Sequence, residues 1–219
     1  MPETKATTTG ERYPKRAARA AATRAAIIEA AGELFATGGY AGTTMKAIAE
    51  RAGVSVESVY LAGSKASLLS AALTVAFSGA DDDRPLPETQ AYAAVFALPV
   101  DEALDRYVEL VSTSIARSDA LWRTARVAAD AEPAIRALLE QSLARRAADI
   151  AAAGPWLVAR GVVVPADADD AVATLSMLVS HETYEHFTDQ FGWSPARYGA
   201  WLRDALDRLI VHRSQGDRS

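Results

Sequence analysis

Thr43-Thr44-Met45-Lys46-Ala47-Ile48-Ala49-Glu50-Arg51-Ala52-Gly53-Val54-Ser55-Val56-Glu57-Ser58-Val59-Tyr60 reads as two short helices joined by a tight turn. Thr44 suits the N-cap of the first, whose buried face would be Met45, Ile48, Ala49 and Ala52. Gly53 supplies the left-handed backbone of a sharp exit. Ser55 caps the second helix, Glu57 favours its positive end, and Val54 and Val59 occupy the two positions of a hydrophobic staple. Ala49 is small where the two helices must approach closely. A small residue four before the glycine and a β-branched one six after it form the packing pattern of a helix-turn-helix, whose second helix enters the major groove of DNA. With Val54 and Val59 turned inward, Val56, Glu57, Ser58 and Tyr60 remain to face a duplex. The same packing also occurs in helix pairs that bind nothing, so the surroundings must decide.

Upstream lies one Ala-rich helix, predicted from Pro14 to Thr37 with Gly38-Gly39 ending it. Its apolar stripe is Ile27, Ile28, Ala31, Leu34 and Phe35. Arg12, Lys15, Arg16, Arg19 and Arg24 precede that stripe with no acid among them, which suits a phosphate backbone. Residues 1 to 80 hold nine Lys/Arg against six Asp/Glu, whereas residues 81 to 219 hold fourteen against twenty-two, so positive charge gathers beside the motif. The overall charge of -5 argues against indiscriminate coating of nucleic acid.

At Asp81-Asp82-Asp83-Arg84-Pro85-Leu86-Pro87 an acid run and two prolines break the chain, giving an expected domain over 12–80 and a second over 81–213. Beyond the break only helical stripes recur, around Leu104–Ile115, Ile135–Leu143, Val172–Val179 and Tyr198–Leu209. The one β-like run, Val162-Val163-Val164, is too short to outweigh them. The expected fold is therefore all-α: an N-terminal three-helix helix-turn-helix domain and a C-terminal helical domain. Half of the 219 residues are hydrophobic, enough to bury a core, and there is no cysteine, which excludes disulfides and thiolate chemistry. No apolar run has membrane-spanning length and no secretory signal is evident, so the expected location is cytoplasmic.

The string Leu34-Phe35, Gly38-Gly39-Tyr40, Thr43-Thr44, Ile48-Ala49, Ala52-Gly53-Val54-Ser55, Tyr60, Gly63-Ser64-Lys65 and Leu68-Leu69 resembles the DNA-binding half of tetracycline-repressor (TetR) family regulators over residues 23 to 73. The resemblance implies phosphate contacts from Thr44, Tyr60 and Lys65, and base-edge or groove contacts from Lys46, Val56, Glu57 and Ser58. Ser55 joins this set as the cap of the reading helix. One departure stands out. The family usually places five residues, a buried aromatic among them, between this tyrosine and lysine; here there are only Leu61-Ala62-Gly63-Ser64. A lost buried ring costs about 3–5 kcal/mol unless the site collapses, so the junction into the next helix is expected to be shifted or looser.

The resemblance further implies a homodimer on a palindromic operator in double-stranded DNA, with reading heads about 34 Å apart. Phe191-Gly192-Trp193-Ser194-Pro195 with Tyr198, Trp201 and Leu202 resembles the end of a TetR subgroup, which assigns Leu175, Val179, Phe187, Trp201, Leu202, Leu206 and Leu209 to the dimer interface. Helices between about 100 and 190 would enclose a pocket for a small-molecule effector, with Tyr107, Val111, Trp122, Arg126, Leu143, Leu178 and His181 as its candidate wall. Arg126, if it faces inward, needs an anion or a carboxylate partner. An effector that favours a misaligned spacing of the two heads would release DNA, the behaviour of a repressor.

Other chemistries are disfavoured. His181 and His186 in His181-Glu182-Thr183-Tyr184-Glu185-His186 are five apart rather than four, so they do not share a helix face as a metal pair must. Gly38-Gly39-Tyr40-Ala41-Gly42 lacks the lysine and the strand of a phosphate cradle. No metal, cofactor or catalytic set is expected. A small helical enzyme would need such a set, and a protein-binding adaptor would leave the basic helix beside Thr44, Ser55, Tyr60 and Lys65 unexplained.

Overall fold

Alanine-rich sequence with an apolar residue every three to four positions winds α1 (Arg12–Gly42), starting two residues before the predicted Pro14. Ile27, Ile28, Ala31 and Phe35 are buried along it, and each of the larger side chains contributes about 1.5–3 kcal/mol by leaving water. Helical geometry fails at Gly39 (φ 70, ψ 172), where the sequence predicts the end, and one further turn carries the chain to Gly42. Buried Thr43 donates its hydroxyl to the Gly39 carbonyl at 2.8 Å, which satisfies a group that would otherwise be costly to bury. The helices α2 (Met45–Ala52), α3 (Val56–Ala62) and α4 (Lys65–Ser78) follow. Both α2 and α3 pack on α1. The computed structural model describes residues 12–81 and 84–211.

The chain divides into two compact units, Met1–Ala72 and Leu73–Ser219. The expected boundary after residue 80 falls beyond the end of α4, whereas the last turns of that helix already contribute Phe77 to the core of the second unit. That unit contains α5 (Gln90–Ala97), α6 (Val100–Ala129), α7 (Pro133–Ala151), α8 (Ala153–Ala159), α9 (Ala168–Leu178), α10 (His181–Glu185) and α11 (Pro195–Leu206). A π-helical turn follows α10 at His186–Gln190 and another follows α11 at Asp207–Val211. At 30 residues, about 45 Å long, α6 is the spine on which α5, α7, α10 and α11 pack. No strand occurs among the described residues, and Val162-Val163-Val164 is a bend after α8 whose first two residues are buried and direct their N–H groups to the Leu157 carbonyl.

Ser194 caps α11 by accepting from the Arg197 N–H, with Pro195 in its first turn, as the sequence implies. Tyr198 is fully buried and donates its hydroxyl to the Leu178 carbonyl at 2.8 Å, tying α11 to the end of α9. Four residues assigned to the dimer interface turn out to be core of their own chain: Leu175, Val179, Leu202 and Leu206 are 0–7% exposed within this unit. A helical stripe records that a face is covered without recording which chain covers it. Phe187 and Trp201 are half-buried, and Leu209 stays 46% exposed.

Candidate functional site

Two capped helices present the reading face. Thr44 accepts the Ala47 N–H at 3.0 Å, and Ser55 accepts the Ser58 N–H at 3.2 Å. Gly53 sits at φ 68, ψ 32, while its own N–H and that of Val54 return to the carbonyls of Glu50 and Ala49. These two bonds satisfy carbonyls at the end of α2 that would otherwise be orphaned, and only a residue tolerant of left-handed backbone makes them without strain. Val59 is fully buried and Val54 half-buried, so the staple side of α3 faces the protein. The opposite side is open: Val56 is 39% and Tyr60 64% exposed, and Thr44, Lys46, Ser55 and Glu57 are also exposed, with Ser58 half-buried.

Of the cations that precede the apolar stripe of α1, Arg16 and Arg19 are exposed, whereas the side chains of Arg12 and Lys15 lie outside the described residues. Arg24 donates to the Ala62 carbonyl at 2.8 Å, fixing the last turn of α3 against α1. Lys46 pairs with Glu50 at 3.8 Å, an exposed contact weak enough for an acceptor on a base edge to replace. Leu61, a residue outside the expected contact set, is 83% exposed on α3 beside Tyr60. The signal lay in the spacing: two positions past buried Val59, a helical residue points away from the staple.

The shortened junction closes around a glycine. Gly63 adopts φ 148, ψ -179, and a Cβ built there would stand 2.3 Å from Ser67 Oγ. Ser64 caps α4 by accepting the Ser67 N–H at 3.1 Å, and Leu68 and Leu69 are fully buried one turn on. The missing residue is therefore absorbed by backbone that no other side chain adopts comfortably. Lys65 lies with its amine 4.3 Å from the centre of the Tyr40 ring, so the end of α1 steadies it by a cation–π contact.

A second candidate site is a chamber inside the second unit, with about 110 Å³ open to the centre of a water-sized sphere. Its wall is apolar apart from Arg146, Asp149 and the phenols of Tyr92 and Tyr107. Burial pushes both phenols well above the usual tyrosine range. Beside it, sharing Phe77, Leu86, Arg146 and Asp149, lies a second cavity of about 140 Å³ bordered by Trp122 and His181. The imidazole of His181 stacks on Trp122 with centroids 4.7 Å apart, and its Nε2 lies 2.9 Å from Ser118 Oγ. Burial lowers its pKa to about 4, holding it neutral.

Of the effector candidates, Tyr107 and Val111 border the chamber and Trp122 and His181 the adjoining cavity. Leu178 is packed into the core, and Leu143 is 45% exposed. Arg126 is corrected as well: it lies at the surface and reaches both oxygens of Glu185 at 3.0–3.1 Å, the carboxylate partner that an arginine on α6 requires. The inward arginine is instead Arg146. Its signal in the sequence is the three-and-four spacing it shares with Ile135, Leu139, Ser142 and Ile150, the inward side of α7. Among the described residues, no group of three His, Cys, Asp or Glu is disposed to hold a metal ion, and no single helix is long and apolar enough to cross a membrane.

The fold and the exposed face of α3 define a two-unit, all-helical DNA-binding protein of the helix-turn-helix class. Residues 27–72 match the model of the bacterial regulatory proteins of the tetR family, so the first unit carries a domain of the type found at the DNA-binding end of those regulators. The fold resembles that of a candidate TetR-family transcriptional regulator from Mesorhizobium loti MAFF303099, with TM-score 0.64, 22% identity, and coverage of 87% of this chain and 96% of that one. It also resembles a candidate transcriptional regulator from Pseudomonas aeruginosa PAO1, with TM-score 0.55, 20% identity, and coverage of 89% and 93%. No curated protein matches the sequence.

Proposed function

We propose that the protein is a sequence-specific transcriptional regulator, a repressor that leaves its operator when a small molecule occupies the chamber of the second unit. The observation that carries this reading is the division of α3: Val59 is fully buried while Val56, Glu57 and Tyr60 are exposed on a helix whose entry is fixed by two caps and Gly53. Tyr60, Lys65 and Thr44 would hold phosphates; Lys46, Val56, Glu57 and Ser58 would meet base edges, with Ser55 holding the helix start. Leu61 adds an apolar side chain suited to a thymine methyl. Such a target places the protein's work in the cytoplasm, by binding rather than catalysis.

Reading a palindrome requires two copies related by a dyad. With Leu175, Val179, Leu202 and Leu206 used internally, Phe187, Trp201 and Leu209 remain for the homodimer, joined by Met177 and Phe191, which are 60% and 61% exposed. The effector would be bordered by Tyr107, Val111, Trp122 and His181. The test is titration with a duplex carrying the palindrome beside the protein's own gene, at several salt concentrations. Selective binding that falls steeply with salt supports the reading. Equal, weak binding to any duplex overturns it in favour of a helical adaptor.

A further inference from the structure

The chamber's polar groups are unequal, and the inequality selects a ligand. Among the described residues two charged side chains border it, Arg146 and Asp149. Asp149 has partners of its own: burial raises its carboxyl above the ordinary range, opposed by the Leu86 N–H, which Oδ1 accepts at 3.2 Å, and by the charge of Arg145. Arg146 is less well matched. Its one described hydrogen bond goes to the neutral carbonyl of Ser176, and among the described residues no carboxylate lies within ion-pair distance; Glu182 attracts it only from farther away. A half-buried guanidinium keeps most of its five donors for something else. Tyr107, which interacts with the same guanidinium, has a hydroxyl with no partner among the described residues. Two donors, the Arg146 guanidinium and the Tyr107 hydroxyl, therefore border the chamber close enough to interact, while Val95, Phe96, Leu157 and Val179 in the same wall offer only hydrocarbon.

We propose that the chamber binds an amphipathic monoanion, a carboxylate held by Arg146 and Tyr107 with its apolar body among those walls. The proposal rests on reading the chamber as the effector site and adds the effector's chemical class. A carboxylate would fill the donors that the protein leaves open and neutralise a charge that burial penalises. A cationic ligand would instead stand beside an uncompensated guanidinium.

Calorimetric titration of the full-length protein compares decanoate, decanol and decylamine below their aggregation concentrations, with naphthalene-2-carboxylate as a flat acid. At least one acid should bind, and decanoate about tenfold to a hundredfold more tightly than decanol, the range that a charge-assisted contact supplies. Arg146→Met should abolish that preference while leaving decanol affinity unchanged, which also shows that the variant is folded. Equal binding of acid and alcohol, tighter binding of the amine, absence of acid binding, or a preference that survives Arg146→Met would each overturn the proposal. Operator binding is measured separately. An acid that binds through Arg146 without altering operator affinity would refute the effector reading and leave the ligand class standing; release by the amine or the alcohol alone would do the reverse.

Discussion

Replacing Gly63 with alanine should destabilise the first unit by about 2–4 kcal/mol. Two costs make up that figure. Backbone at φ 148, ψ -179 belongs to a region that is essentially glycine's alone, and holding another residue there costs about 1–3 kcal/mol. The new Cβ would also meet Ser67 Oγ at 2.3 Å, and that hydroxyl is engaged, donating to the Ser64 carbonyl at 2.9 Å with Ser64 Oγ at 3.3 Å. Displacing it forfeits about 1 kcal/mol of hydrogen bonding. The two costs separate in Gly63→Ala/Ser67→Ala, where the hydroxyl is gone and the backbone strain stays, leaving the double variant about 1–3 kcal/mol below Ser67→Ala alone. Urea unfolding followed by circular dichroism reads the effect. All four tryptophans lie in the second unit, so their fluorescence reports that unit separately. Unfolding of Gly63→Ala within about 0.5 kcal/mol of the parent, or complete recovery of the loss by Ser67→Ala, would show that the backbone at Gly63 is not strained for other residues.

On operator DNA, Tyr60→Phe and Lys65→Ala should weaken all sequences alike, and Lys65→Ala should flatten the salt dependence of binding by about one phosphate; filter binding or fluorescence anisotropy across salt concentrations checks both. For His181, the folded pKa of about 4 lies below the ordinary 6.5, so the unfolded chain takes up a proton that the folded chain refuses. The resulting stability is complete above about pH 6.5 and is lost as pH falls toward 4, by about 2 kcal/mol between pH 7 and 5. His181→Phe should flatten that window in urea titrations at the two pH values, and an unchanged slope would show that the histidine is not buried neutral. Tyr198→Phe, which strands the Leu178 carbonyl, should cost about 1 kcal/mol. Arg126→Ala, losing a partly exposed ion pair with Glu185, should cost no more than about 1 kcal/mol and leave ligand affinity untouched.

What was legible in the sequence was chiefly what short-range chemistry determines. Thr44, Gly53 and Ser55 act on backbone groups within five residues of themselves, so their roles could be read without knowing the rest of the fold. The stripes of α6, α7, α9 and α11 were equally plain, because burial imposes the helical period wherever it occurs. Long-range identity was not legible. The stripe through Leu175, Leu202 and Leu206 looks the same whether its cover is a second copy or, as here, its own chain. Arg126 and Arg146 are both arginines on helices, and only three-dimensional neighbours show that the first meets Glu185 at the surface while the second borders a chamber. The junction after Tyr60 marked itself as irregular by its length, but the answer, a glycine in a conformation reserved for glycine, depended on where α4 had to begin.

If the exposed side of α3 reads base pairs, the bases it prefers must change with its side chains, which selection of bound duplexes from a random pool reveals for the parent protein and for the variants Glu57→Gln and Ser58→Ala. The parent should enrich one palindrome, and each variant should change the preferred bases at the same position in both half-sites. Identical enriched sequences from all three proteins, or no enrichment by the parent, would contradict it.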